Sequence, residues 1–203
     1  LREVPAKNRN PELIAERRRE ITSAAIVEID RNGFQLTSVE NVARAIGIDK
    51  RTIYDYVEKK EDILYLILSG FLMEHVEELE RIRLGTEPAI ERLRTMVEWQ
   101  LAYTQVNSKM IEFTYREMRS LPHEDVSSML ALVNLLIAEY ESVIQEAQEE
   151  GSIRVSDTHL AAHTLTTIVD MMSLRAWALA DTPKEDVLDL LWGMLGVSDR
   201  DGA

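Results

Sequence analysis

The sequence predicts an all-α protein, and three observations predict it. Apolar residues recur at helical spacing along nearly all of the 203 residues. The prolines inside the body, Pro88, Pro122 and Pro183, all stand where helices would start. No stretch combines sustained alternation, β-branched runs and hairpin turns, so no sheet is expected. The expected helices are 12–32, 38–45, 50–56, 60–83, 87–106, 109–119, 122–150, 157–180 and 183–196, about nine in all. They group as an arm (1–11), a first domain (12–60) and a second domain (61–203).

The helix over 12–32 follows the polar arm. A capping box of Thr37 and Glu40 opens the helix over 38–45. Val39, Val42, Ala43 and Ile46 share one of its faces. Ala43 is small where another helix must cross closely. Gly47 ends the helix by taking positive φ, and Ile48 fills the corner. Asp49 caps the helix over 50–56, from which Ile53 and Val57 point back to the first of the pair. The expected result is two short helices at a steep angle, a helix-turn-helix. The remaining positions, Lys50, Arg51, Thr52, Tyr54, Asp55 and Tyr56, face outward. A basic start and two tyrosine hydroxyls suit a duplex groove, where the first residues of such a helix reach base edges. Arg51 fits guanine O6 and N7, a pairing worth about 1–3 kcal/mol of discrimination.

The helix over 60–83 runs from the first domain into the second, making the two continuous. Pro88 and Pro122 mark the starts of the helices over 87–106 and 122–150, and Glu149-Glu150-Gly151 ends the latter. Thr182-Pro183-Lys184-Glu185 sets a capping box and a proline at the start of the last helix.

Composition narrows the function. Apolar residues make up 45%, enough for a real core, and no window approaches the roughly 18 uninterrupted apolar residues of a membrane span. The start of the chain is too polar for a signal peptide. The lack of cysteine excludes disulfides, thiolate metal sites and cysteine nucleophiles, and a cytoplasmic protein with no cofactor is expected. The net charge of −13 is unevenly spread. Residues 1–60 hold 12 Lys/Arg against 10 Asp/Glu, and residues 61–203 hold 11 against 26. The front can approach phosphate while the remainder repels it.

Residues 19–64 resemble the N-terminal domain of the TetR family of bacterial repressors. The resemblance rests on Arg19-Glu20-Ile21 through Ala24-Ala25, on Gly33-Phe34 with Thr37-Ser38-Val39, and on Val42-Ala43 to Gly47-Ile48. It continues through Ile53-Tyr54-Asp55-Tyr56-Val57 and Lys60-Glu61-Asp62-Ile63-Leu64. It implies a dimeric, ligand-controlled regulator on a palindromic operator. At matching positions Ser38, Tyr54, Tyr56 and Lys60 would hold phosphates, and Lys50, Arg51 and Thr52 would reach bases. The chain departs from the family pattern at Asp49, Arg51, Val57 and Lys59, and Asp49 and Asp55 bring negative charge near the groove. Lys7 and Arg9 in the arm suit groove or backbone contacts, although a disordered tail is the favoured reading.

In this family the last two helices form a four-helix bundle with a twin. Leu160, Leu165, Ile168, Met172 and Trp177 on 157–180, with Val187, Leu190, Leu191, Met194 and Leu195 on 183–196, suit that role or complete the monomer core. A ligand pocket is expected with Trp99, Tyr103, Phe113, Tyr115 and Met118 as walls and Met171 also in contact with the ligand. Glu112, Arg116, Arg119, His163, Asp170 and Arg175 are its polar groups, Arg175 foremost. The segment Glu112 to Leu121 and Arg175 resemble members that sense acyl-CoA thioesters, which implies an apolar, anionic effector. The acidic residues favour a cationic one instead. The rival class is a helical enzyme or metal protein using His159 and His163, which lie i, i+4 on one face without an evident third ligand. No glycine-rich phosphate loop or nucleophile turn is present, and an enzyme is not expected.

Overall fold

Asn10 opens the first helix. Its Oδ1 accepts from the amides of Glu12 (3.0 Å) and Leu13 (3.3 Å), ahead of a proline at the first helical position. The structure, a computed structural model, describes residues 1–179 and 181–197. Ala180, the end of the helix expected over 157–180, and residues 198–203 of the expected second domain lie outside the described residues.

Among the described residues the chain is α-helical, without strands. The elements are α1 (Pro11–Asn32), α2 (Val39–Ala45), α3 (Lys50–Ile53), α4 (Lys60–Arg83), α5 (Ala89–Val106), α6 (Ser108–Glu117), α7 (His123–Glu149), α8 (Thr158–Leu174), α9 (Ala176–Leu179) and α10 (Lys184–Met194). A 3-10 turn, Met118–Ser120, follows α6.

Three differences from expectation are local. The helix expected over 157–180 breaks at Arg175, where ψ of 21° takes the backbone out of the helical region. The helix expected over 50–56 stops at Ile53, leaving a single turn. The box expected at Thr182 does not form: Pro183 precedes α10 without a side-chain cap.

The chain divides into two compact units. Among the described residues the first comprises 1–73 and 113–132, and the second 74–112, 133–179 and 181–197. Both α4 and α7 contribute to each.

The first unit packs α1 on α2 and α2 on α3. Ile21, Ala25 and Ile29 of α1, Val39, Val42 and Ala43 of α2, and Ile53 and Val57 after the corner are all buried. In the second unit α5 packs on α8, burying Leu93, Met96 and Val97 with Ala162, Leu165 and Val169. Tyr140 of α7 is fully buried there, and its hydroxyl donates to the Met96 carbonyl (3.0 Å) and meets Gln100 Oε1. Arg92 ties the ends of α4 and α5, donating to the carbonyls of Arg83 (2.6 Å) and Glu87 (3.0 Å) and pairing with Glu146. α7 is long and apolar enough by composition to cross a bilayer. In the second unit its buried Leu136, Ile137, Val143 and Ile144 and its Glu139–Arg83 ion pair make it a core helix.

Candidate nucleic-acid interface

The corner between α2 and α3 is built as the sequence requires. Gly47 takes φ 69°, a conformation that would strain any residue bearing a Cβ. The Ile48 amide then returns to the Ala43 carbonyl (3.0 Å). Asp49 Oδ1 accepts from the Arg51 amide (2.7 Å) and starts α3.

One cap is displaced by a residue. Ser38, rather than Thr37, caps α2: its Oγ accepts from the Asn41 amide (3.1 Å) and also meets Asn41 Oδ1. Thr37 is buried, and its hydroxyl is shared between the carbonyls of Gly33 (3.0 Å) and Glu28 (3.1 Å), locking the turn after α1. Ser38 is exposed but already engaged with Asn41.

Of the expected contact residues, Lys50 and Arg51 stand exposed on α3, and Thr52 and Tyr54 are half-buried beside them. Among the described residues neither cation is drawn into an ion pair. Asp55 pairs loosely with Lys7 at 3.9 Å, which offsets part of its charge near the surface.

Two expected contacts point inward. Tyr56 is only 6% exposed, because α3 has ended and the following turn carries its ring into the core. The Lys60 ammonium donates to the carbonyls of Phe34 (2.9 Å), Thr37 (3.1 Å) and Gln35 (3.4 Å). It also lies 4.2 Å from the centre of the Phe34 ring. Its three protons are directed at the carbonyls that close the α1–α2 turn. A missed feature opens α4 instead of Lys59: Asp62 Oδ2 accepts from the amides of Glu58 (2.9 Å) and Lys59 (3.0 Å).

The arm is not the disordered tail that the sequence favours. Val4 is buried, and the amides of Lys7 (2.9 Å) and Asn8 (3.3 Å) donate to the Asp55 carbonyl. Arg18 of α1 donates through Nε to the Tyr56 carbonyl (3.0 Å).

The expected ligand residues are divided. Phe113, Arg116, Met118 and Arg119 belong to the first unit, the others to the second. Arg116 donates to Glu117 (2.9 Å) and Asp30 (3.2 Å) beside the buried Phe113. Met118 is half-buried, and Glu112, Arg119 and Met171 are exposed. Arg175 is exposed too, turned out where α8 ends. His163 and Asp170 are half-buried, and Asp170 helps burial to raise the pKa of the Tyr140 hydroxyl.

Trp99 and Tyr103 do come together, stacked at 4.8 Å over His75 of α4. His75 is 6% exposed, and burial lowers its pKa to about 4. Among the described residues its Nε2 has no hydrogen-bond partner. Burial and the charge of Glu74 push the Tyr103 hydroxyl up to about 12. His75 was missed because a lone histidine in an apolar helix carries no motif.

A cavity of the second unit lies elsewhere. It measures about 390 Å³ and is lined by Leu101, Met172, Ser173, Leu179, Lys184 and Val187, among others. None of the expected ligand residues lines it. For the metal reading, the rings of His159 and His163 meet edge to face at 4.6 Å, and His159 Nδ1 is taken by Glu141 at 2.8 Å. Among the described residues no group of three metal-ligating side chains is assembled.

Comparison with known proteins fits this geometry. Residues 21–65 match the family described as bacterial regulatory proteins, tetR family, and residues 86–175 match the tetracyclin repressor-like C-terminal domain. The chain is 26% identical over 175 residues to the HTH-type transcriptional regulator HbdR of Aromatoleum sp. (strain CIB), covering 85% of this chain and 75% of that one. It is similar in fold to a tetR-family regulatory protein from Rhodococcus RHA1, with TM-score 0.78, 19% identity, and 90% and 98% of the two chains covered. It is also similar to AibR, solved in complex with isovaleryl coenzyme A and operator DNA, with TM-score 0.70, 23% identity, and 90% and 100% covered.

Proposed function

Because the chain belongs to the TetR family of bacterial transcriptional regulators, we propose that α3 docks in the major groove of a palindromic operator as one half of a homodimer, under the control of an apolar, anionic effector. Regulation of transcription by a DNA-binding, ligand-responsive protein is what the family does, and the relatives are regulators rather than enzymes. A cytoplasmic location follows from that role.

A single observation carries the docking surface: Lys50 and Arg51 project, without an ion pair among the described residues, from a helix anchored by Ile53 against α2. The buried Ile53 and Val57 fix which side of α3 faces out. Lys50, Arg51, Thr52 and Tyr54 then make the contacts, with Arg51 reading a guanine. Ser38 lies at the rim. Tyr56 and Lys60 act from behind, by holding the turn and the start of α4.

The dimer is supported by apolar side chains left in water on the last helices. Trp177 is 81% exposed, and Leu160, Leu190 and Met194 are also exposed. Leu165, Val187, Leu191 and Leu195 are buried within the protomer, so α8 and α10 serve the core with one face and a partner with the other.

The cavity between α5, α8 and α10 suits the acyl part of an effector, with Lys184 meeting an anionic head. The complex of AibR with isovaleryl coenzyme A makes acyl-CoA thioesters the first class to test. Duplexes selected by the protein from a random pool provide the assay. Isovaleryl-CoA or a long-chain acyl-CoA, titrated into that complex, releases the DNA where free coenzyme A does not. Release by no acyl-CoA would sink the effector reading and leave the DNA reading intact. Steep loss of binding with added salt supports the phosphate contacts.

A further inference from the structure

Residues 2–8 lie along the first unit and are fastened at both ends. At one end the Arg2 guanidinium donates to Asp125 Oδ1 (2.6 Å) and Oδ2 (3.3 Å) and to Asp62 Oδ1 (2.9 Å). Both carboxylates are fully buried. The guanidinium also lies 4.5 Å from the centre of the Tyr65 ring, whose hydroxyl accepts from the Arg2 amide at 2.8 Å. At the other end the Lys7 and Asn8 amides hold the Asp55 carbonyl. Between them Val4 is buried, and Arg18 joins the Val4 carbonyl to that of Tyr56.

Such an arrangement fixes position. Two buried carboxylates leave a single cation little freedom, since either one unpaired is costly. Asp55 and Tyr56 follow directly on α3. A helix of one turn has almost no hydrogen bonding of its own to hold its direction. Its aim depends on what holds its ends: Asp49 and the α2 corner at one, and Asp55 and Tyr56 at the other.

We propose that residues 2–8 are a positioning strap for the recognition helix: Arg2, clamped between Asp62 and Asp125, fixes the segment whose Lys7 and Asn8 amides hold Asp55, and so aims Lys50 and Arg51 at base edges. This rests on the docking surface proposed above. The strap groups touch no DNA and act through the backbone. A charged arm lying in a groove would instead act through its ammonium groups. The two differ in which atom of Lys7 matters.

Duplexes selected from a random pool by the wild-type protein are the probe, with an unrelated duplex as reference. Lys7→Ala and Lys7→Pro both remove the ammonium, and only the proline removes the amide donor. Lys7→Ala binds the selected duplex nearly as the wild type does, and Lys7→Pro binds it about tenfold more weakly. Both bind the reference duplex equally, with the same salt dependence, because no phosphate contact separates them. Asn8→Pro moves in the same direction. Arg2→Met combined with Asp125→Asn, which removes one stranded charge, loses discrimination to a similar degree while its circular dichroism stays helical. Equal binding by Lys7→Ala and Lys7→Pro overturns the strap. So does an equal loss in both with a shallower salt dependence, which would make the segment a phosphate contact. Selection of no duplex by the wild type overturns the docking surface and the strap with it.

Discussion

Lowering the pH from 7 to 5 should destabilise this protein through one side chain, His75. The imidazole is buried beneath Trp99 and Tyr103, and burial lowers its pKa from 6.5 to about 4. The unfolded chain therefore takes up a proton near pH 6.5, and the folded chain resists until about pH 4. Between those values the unfolded state binds more protons, so stability falls as the pH falls through that window. Integrating the two titrations from pH 7 to pH 5 gives a loss of about 2 kcal/mol from this residue. Urea unfolding at fixed protein concentration, at pH 7, 6 and 5, measures it. His75→Leu removes the titrating group and leaves the carboxylates as they are. The difference in stability between the two proteins should shift by that amount, with the wild type losing more. Parallel curves for the two would refute the reasoning, because they would mean that the ring is hydrated or that a partner keeps it protonated.

Lys60→Met strands the carbonyls that the ammonium now satisfies, so it should cost about 1–3 kcal/mol in urea unfolding and leave the salt dependence of DNA binding unchanged; a shallower dependence would restore Lys60 to the phosphate contacts. Leu190→Asp places a charge on the exposed apolar face of α10 and should turn a dimer into a folded monomer in sedimentation; a dimer unmoved by it would place the interface elsewhere. Tyr140→Phe removes the hydroxyl that meets the Met96 carbonyl and Gln100, at about 1–2 kcal/mol of stability. A change below the error of the unfolding curve would mean that the two acceptors find other donors.

Local signals were the ones the sequence carried. Gly47, Asp49, Ile53 and Val57 lie within a few residues of one another, and each has one structural use, so the corner was legible. The choice between Thr37 and Ser38 was not, because adjacent hydroxyls both suit a cap and burial of Thr37 decides which one is used. Tyr56 misled because helical projection fails once the helix has ended. The break at Arg175 has no proline or glycine to announce it, so the period appeared to continue. Arg2, Asp62 and Asp125 are separated by 60 and 63 positions, and only the folded chain shows that they meet. The exposed and buried halves of α8 and α10 were likewise mixed in one apolar pattern, which burial separates.

Asp62 has a narrower set of substitutes than its neighbours. One oxygen faces two backbone N–H groups, and the other faces a guanidinium. Asparagine offers a single acceptor, so its amide nitrogen would confront donors on one side or the other. Glutamate, a methylene longer, would have to move both oxygens off their present positions. A carboxylate of this reach is thus the chemical condition for joining the opening of α4 to the strap, and a change there disturbs two contacts by one exchange of atoms.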